Sequence, residues 1–245
     1  MVQNSMHSLN AGSYKYTVRT LAGALVDHAL NAIYPPRCGG CQKWGEGFWC
    51  ATCDAAVQRL NGNESERELI TENQRAVMVV SASMFGGTVR EGIHALKYNA
   101  TPHMARPLSG IMEHALPRVL MLLGESYLQV LVPVPLHTSR RRERGYNQSE
   151  LLAKALGRRS TSVRVEANAM RRTRRTLQQA KLNADQRKQN VLGAFVADPR
   201  YVANRSIILV DDVMTTGSTI AECADSLFAA GARNVVALTL ARADE

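Results

Sequence analysis

The stretch from Arg205 to Thr219, RSIILVDDVMTTGST, constrains the fold of the 245-residue chain more than any other. Ile207, Ile208, Leu209 and Val210 form a short apolar run, rich in β-branched side chains and bounded by polar residues. That pattern belongs to a strand buried on both faces of a parallel sheet. Asp211 and Asp212 then stand at the strand's carboxyl end. Beyond Gly217, Ser218 precedes Ile220, Ala221, Ala224, Leu227 and Phe228 at helical spacing, so a helix is expected to begin where the loop ends. A helix amino terminus offers unpaired amides and about half a positive charge, and Gly217 lets the backbone approach a bound group. Hydroxyls from Thr215, Thr216, Ser218 and Thr219 can add donors to the same phosphate. Two adjacent carboxylates would repel a phosphate, but they suit the hydroxyls of a sugar. The implied ligand is a sugar phosphate, with one acid for each of two neighbouring hydroxyls.

A chain of this length can bury one large core or two small ones, and its 45% hydrophobic content is that of a globular protein. No window reaches the eighteen or so apolar residues of a membrane span; the nearest, 119–136, is interrupted by Glu125, Ser126 and Gln129. The segment 21–33 holds Asp27, His28 and Asn31 and lacks a cleavage pattern, so a cytoplasmic location is expected. The formal charge of +9 is clustered at Arg140, Arg141, Arg142 and Arg144, and again at Arg171, Arg172, Arg174 and Arg175. Such clusters suit polyanions, whether a diphosphate or a nucleic-acid backbone, and charge alone does not separate the two. Aromatic residues make up 5% of the chain and are not interleaved with these arginines, so no stacking platform for bases is expected.

Residues 1–16 are polar and aperiodic, the pattern of a disordered tail. From Thr17, apolar residues at helical spacing predict a helix that Pro35 and Pro36 end. Next come Cys38-Gly-Gly-Cys41 and Cys50-Ala-Thr-Cys53, two knuckles whose four sulfurs suit a closed, structural zinc site; an iron-sulfur cluster and a redox pair are the alternatives. Residues 17–60 therefore form one unit of helix and finger, and residues 76–245 the main domain. A short helix is expected over 54–60, a polar connection over 61–75, a strand over 76–85, and helices over 89–98, 103–116 and 119–123. Lys97 and Tyr98 read either as ligand contacts or as a helix end. The run 131–134 reads as another buried strand, ended by Pro133 and Pro135, which cannot donate ladder hydrogen bonds. The rigid turn through Val134 and Pro135, followed by Arg140 to Arg144, could hold a diphosphate. A helix follows from Asn147 to Leu156. Residues 171–190 carry almost no apolar side chains apart from Leu177 and Leu182, the composition of a mobile basic loop able to close over a phosphorylated ligand. The apolar run 234–240 supplies a last strand, and Cys223 reads as a buried helix residue.

VDDVMTTGST resembles the 5-phosphoribosyl-1-pyrophosphate (PRPP) loop of type I phosphoribosyltransferases. In that family the two acids hold the ribose hydroxyls and the following turn holds the 5′-phosphate. Taken with the four cysteines, the PVP turn at 133–135, and Arg144-Gly145-Tyr146-Asn147-Gln148, the chain is similar to the ComF family over residues 30–243. Tyr146 stands where many relatives carry Phe. The resemblance implies an α/β fold with a mainly parallel sheet flanked by helices and a small N-terminal four-cysteine finger. It implies that Lys97, Val134, Pro135, Arg144, Asn147, Gln148, Gln179 and Arg187 surround the diphosphate, with Leu182 and Asn190 in the same loop. It also implies Mg²⁺ bound with PRPP, structural Zn²⁺, and phosphoribosyl transfer to an acceptor that no residue pattern identifies. For some members it implies handling of single-stranded DNA during competence, with a helicase or membrane uptake proteins as partners at the inner face of the membrane; for others it implies a link to gluconate use. A PRPP-sensing regulator without turnover is the third expectation.

Overall fold

The computed structural model describes residues 35–99, 101–124, 129–160, 163–174 and 184–243. The expected tail over 1–16 and helix from Thr17 lie outside these residues. Among the described residues the helices are α1 (Ala51–Ala55), α2 (Gly87–Tyr98), α3 (Ala105–Glu113), α4 (Leu116–Leu123), α5 (Thr138–Arg144), α6 (Gln148–Arg159), α7 (Ala184–Val191), α8 (Pro199–Val202) and α9 (Ser218–Ala229). The strands are β1 (Glu66–Ile70), β2 (Ala76–Met84), β3 (Gln129–Pro133), β4 (Arg164–Val165), β5 (Met170–Arg172), β6 (Phe195–Ala197), β7 (Ser206–Met214) and β8 (Asn234–Arg242).

Six strands form one sheet in the order β1-β2-β8-β7-β3-β4. Every pairing from β2 to β4 is parallel; only β1 runs antiparallel, against β2. The central strand is β7, in register with β3 (Val132 opposite Leu209) and β8 (Ile208 opposite Val236). Its apolar run is continuous because both faces are covered. Ile208 and Val210 join Ile93, Leu96, Leu108 and Leu152 from α2, α3 and α6 in one core. Ile207 and Leu209 join Ile220, Cys223 and Leu227 from α9 in the other. The expected α/β architecture is thus present, with the central strand sandwiched between two helical layers.

Several boundaries differ from the sequence expectation. The acids do not follow the strand but lie inside it, since β7 runs on to Met214. Their carboxylates find partners there, so the ladder continues past them. The polar connection over 61–75 holds a 3-10 turn at Gly62–Ser65 and the edge strand β1. The charged residues of ERELI suit a solvated sheet edge and look like loop in isolation. The helix expected over 54–60 is instead α1, which starts at Ala51 because the Cys50 sulfur accepts from the Cys53 amide. The single helix expected over 103–116 divides into a 3-10 turn, α3 and the start of α4, and Arg140 to Arg144 lie on α5. Residues 171–172 pair in the β5–β6 ribbon and 184–191 form α7, so the expected loop is structured at both ends. Gln179 and Leu182 lie outside the described residues, as does the Arg187 side chain.

The candidate sugar-phosphate cleft and the cysteine cluster

At the carboxyl ends of the parallel strands lies a cleft of about 690 Å³. Asp211, Asp212, Thr215, Gly217, Ser218 and Thr219 line one side. Val134, Pro135, Arg140, Arg144 and Gln148 come from the segment after β3, Lys97 and Tyr98 from the end of α2, and Arg172 from β5. Parallel strands place such a cleft here because the loops that leave their carboxyl ends converge at one edge.

The acid pair is held from three directions. Ser149 Oγ donates to Asp211 Oδ1 at 2.8 Å, and the Asp212 amide donates to the same oxygen at 2.9 Å. Asp212 Oδ1 accepts from the Val213 amide at 3.0 Å, while Lys97 Nζ lies 2.5 Å from Asp212 Oδ2. Burial, followed by the neighbouring charge of Asp212, pushes the Asp211 carboxyl up to about 7. Burial works against the Lys97 ammonium, yet the charge of Asp212 and the hydrogen bond to it prevail, raising Lys97 above the ordinary lysine value. Lys97 thus lies in the last turn of α2 with its ammonium enclosed in the cleft lining beside Asp212.

The loop after β7 turns at Gly217, whose φ of +79° lies in the left-handed region that favours glycine. A Cβ there would also fall 2.5 Å from Leu69 Cδ1 of β1, so the edge strand closes over the back of the turn. Gly217 O then accepts from the Ala221 amide, the first hydrogen bond of α9, and the amides of the first turn point toward the cleft end. Thr216 does not line the cleft; its hydroxyl bonds the Ser218 hydroxyl at 2.9 Å, which fixes the turn.

Across the cleft, Arg144 Nη1 donates to Gln148 Oε1 at 2.6 Å, and its guanidinium lies 5.3 Å from the Tyr98 ring centre. Asn147 is not a lining residue. It is buried, accepts from the Ser149 amide as the N-cap of α6, and donates to Val134 O at 2.9 Å. Its task is to fasten the start of α6, and with it Ser149, to the turn after β3. Tyr146 works in the same way, donating to Leu96 O at 2.6 Å. Ser149, buried behind Asp211, was not expected at the site, and Arg172, read only as part of a basic cluster, lines the cleft. Arg172 is largely enclosed, and burial lowers its pKa from the ordinary arginine value. Nothing in the local pattern marks either, because each reaches the site through tertiary packing.

The cysteines converge as their spacing implies. All four sulfurs lie within 4.8 Å of one another, with Cys38 to Cys53 at 3.6 Å and Cys41 to Cys50 at 3.7 Å. Four thiolates about 2.3 Å from a tetrahedral metal stand about 3.8 Å apart, so the cluster fits a structural metal such as zinc. The Cys50 amide donates to Cys38 Sγ and the Cys53 amide to Cys50 Sγ, the usual support for sulfurs carrying negative charge. A side chain at Gly40 would place its Cβ 2.7 Å from Cys53 Sγ, so only glycine fits this knuckle. The cluster is joined to the body by Thr88 Oγ1, at the start of α2, which donates to Cys53 O at 3.1 Å.

Beside the cluster, Phe48, Trp49, Arg59, Arg106 and Arg159 line an open groove. Trp44 is 53% exposed, with the Arg37 guanidinium 3.8 Å from its ring centre. Aromatic and basic side chains are thus brought together after all, by folding and not by sequence adjacency. Among the described residues no helix is long and apolar enough to cross a membrane.

Comparison with known proteins gives the following relatives. The chain is 37% identical over 150 residues to the DNA utilization protein YhgH of Escherichia coli K12, covering 61% of this chain and 65% of that protein. It is 34% identical over 167 residues to the DNA utilization protein YhgH of Salmonella typhimurium, covering 67% and 71%. Against Competence protein F of Haemophilus influenzae, 37% identity extends over 117 residues, 47% of this chain and 51% of that protein. The matches thus span about half to seven tenths of the relatives' length. No protein-family model matches the chain.

Proposed function

The chain belongs to the ComF family of competence and DNA-utilization proteins, and on that basis we propose that it binds PRPP and transfers its phosphoribosyl group to an acceptor, with release of pyrophosphate. The observation that carries this reading is the joining of two buried acids at the end of β7 to a left-handed glycine turn and the start of α9. Asp211 and Asp212 accept hydrogen bonds from the two ribose hydroxyls. The turn from Thr215 to Thr219 and the amides of α9 take the 5′-phosphate. Arg140, Arg144 and Arg172 face them and take the diphosphate, and Lys97 exchanges Asp212 for that diphosphate when the ribose arrives. Mg²⁺, when bound with PRPP, neutralises diphosphate charge and keeps most of its ligands as water. Arg187 and Gln179 complete the diphosphate side. Zinc fills the four-cysteine cluster as a structural ion.

The test is calorimetric titration with PRPP and Mg²⁺. Native protein binds, whereas the double variant Asp211→Asn, Asp212→Asn loses affinity by at least about a hundredfold and retains its zinc. Retained affinity in that variant would remove the acids from the site. Pyrophosphate release with an acceptor separates an enzyme from a PRPP sensor that never turns over.

A second reading has its own support. The arginines and exposed aromatics beside the finger suit the backbone and bases of single-stranded DNA, in keeping with the names of the relatives. The protein would act in the cytoplasm at the inner face of the membrane, beside a competence helicase or uptake proteins. Backbone-directed binding weakens steeply between low and moderate salt. An affinity for single-stranded DNA that stayed flat over that range would refute it.

A further inference from the structure

A second, smaller pocket opens beside the cleft, about 390 Å³ in volume and lined by Phe85, Arg90, Glu91, Ile93, His94, Lys97 and Tyr98. Phe85, Lys97 and Tyr98 line both spaces, so the two are neighbours across these side chains. The pocket follows from the spacing of α2. Arg90, Ile93, His94 and Lys97 recur at three- and four-residue intervals and share one face of the helix, with Tyr98 beside them. Ile93 is buried and makes the floor, while the Phe85 ring forms a wall.

Tyr98 is 66% exposed where the two spaces meet, an unusual position for an aromatic side chain. Its ring has two polar neighbours: the His94 ring, tilted at 45° with its centre 4.8 Å away, and the Arg144 guanidinium, 5.3 Å from its centre. An exposed aromatic beside an apolar floor is suited to a flat ring. At the rim, Arg90 and Glu91 offer a donor and an acceptor; their mutual ion pair is solvent-exposed and weak enough to open. Such a rim selects a ring with polar edges over a plain hydrocarbon.

We propose that this pocket takes a planar heteroaromatic ring of nucleobase type, held against Tyr98, as the acceptor portion of the ligand whose sugar phosphate occupies the cleft. The inference rests on the sugar-phosphate reading given above. The shared wall at Lys97 and Tyr98 puts the ring next to the acid pair, where the anomeric carbon of a ribose held by Asp211 and Asp212 would lie. Apart from the shared Phe85 and Tyr98, the lining of the cleft holds no aromatic ring.

A nucleoside 5′-monophosphate would span both spaces, whereas ribose 5-phosphate would fill only the cleft. Calorimetry should therefore compare ribose 5-phosphate with AMP and UMP on the native protein, Tyr98→Phe and Tyr98→Ala. At least one nucleotide binds the native protein about tenfold more tightly than ribose 5-phosphate, the gain expected of one base-aromatic stack. That ratio is kept by Tyr98→Phe and falls to about one in Tyr98→Ala. Using the ratio cancels any effect of the substitution on the shared sugar phosphate. Ribose 5-phosphate that fails to bind overturns the cleft reading and the pocket with it. Ribose 5-phosphate that binds, with a native ratio near one or a ratio that survives Tyr98→Ala, overturns the pocket alone.

Discussion

The cysteine cluster and the cleft solve the same problem, holding several polar groups at fixed distances, by opposite means. The cluster takes its four sulfurs from sixteen consecutive positions, 38–53, and brings them to a spacing that fits a metal ion. The cleft draws on α2, the turn after β3, α5, α6, β5, β7 and α9, and is held by the packed sheet behind it. Local sites are fixed by their ligand and distant ones by the fold. The first therefore collapses when its ligand is removed, while the second fails by degrees.

The largest expected effect follows from that difference. Cys50→Ser should reduce bound zinc from about one equivalent to near zero and lower the melting temperature by on the order of ten degrees. Metal analysis and thermal unfolding give both readings. A variant that lost zinc but kept its melting temperature would show that the cluster is decoration on the body and not part of its stability.

The cleft should respond to pH. The Asp211 carboxyl at about 7 must be ionised to accept well from a sugar hydroxyl, and its ionised fraction rises about tenfold between pH 6 and 8. PRPP affinity should rise by up to about that factor over the range, beyond any change carried by the ligand, and Asp211→Asn should flatten the added slope. The stability effect has the opposite sign. With its folded value raised well above that of an ordinary aspartate, Asp211 keeps its proton in the folded state over the range where the unfolded chain gives its own up. Its contribution is present below about pH 4 and lost as pH rises toward 7.

The smallest effect is expected at Asn147. Asn147→Ala removes the cap of α6 and the bond to Val134 O, at a cost of about 1–2 kcal/mol and a few degrees of melting temperature. PRPP affinity should fall only modestly, because Asn147 supports Ser149 and touches no ligand. A loss as large as that of the acid pair would place it in the cleft and blur the contrast between supporting and lining residues.

The same contrast explains what could be read before folding. The cysteine knuckles, the β7 strand and the turn into α9 are each contained in a few consecutive residues, and their local structure was readable there. Three features were not. β1 opens with three consecutive charged residues, Glu66, Arg67 and Glu68, as an edge strand can, so periodicity gave it no apolar signal. Ser149 and Arg172 approach the acids from α6 and β5, whose arrangement around β7 no spacing encodes. Asn147 was expected at the diphosphate because it lies among residues that line the cleft, yet its side chain turns inward to a backbone carbonyl.

Helix α2 gives the two sites a common beam. Thr88 in its first turn bonds Cys53 O, and a Cβ at Gly92 would fall 2.9 Å from the Trp49 ring, so the finger rests directly on its amino-terminal half. Lys97 and Tyr98 occupy its last turn. Twelve residues of helix make a rod about 18 Å long that bends little over that span. A tilt imposed where the finger sits would be expected to carry the Lys97 ammonium with it, so the cysteine end of the molecule and its charged end share one support.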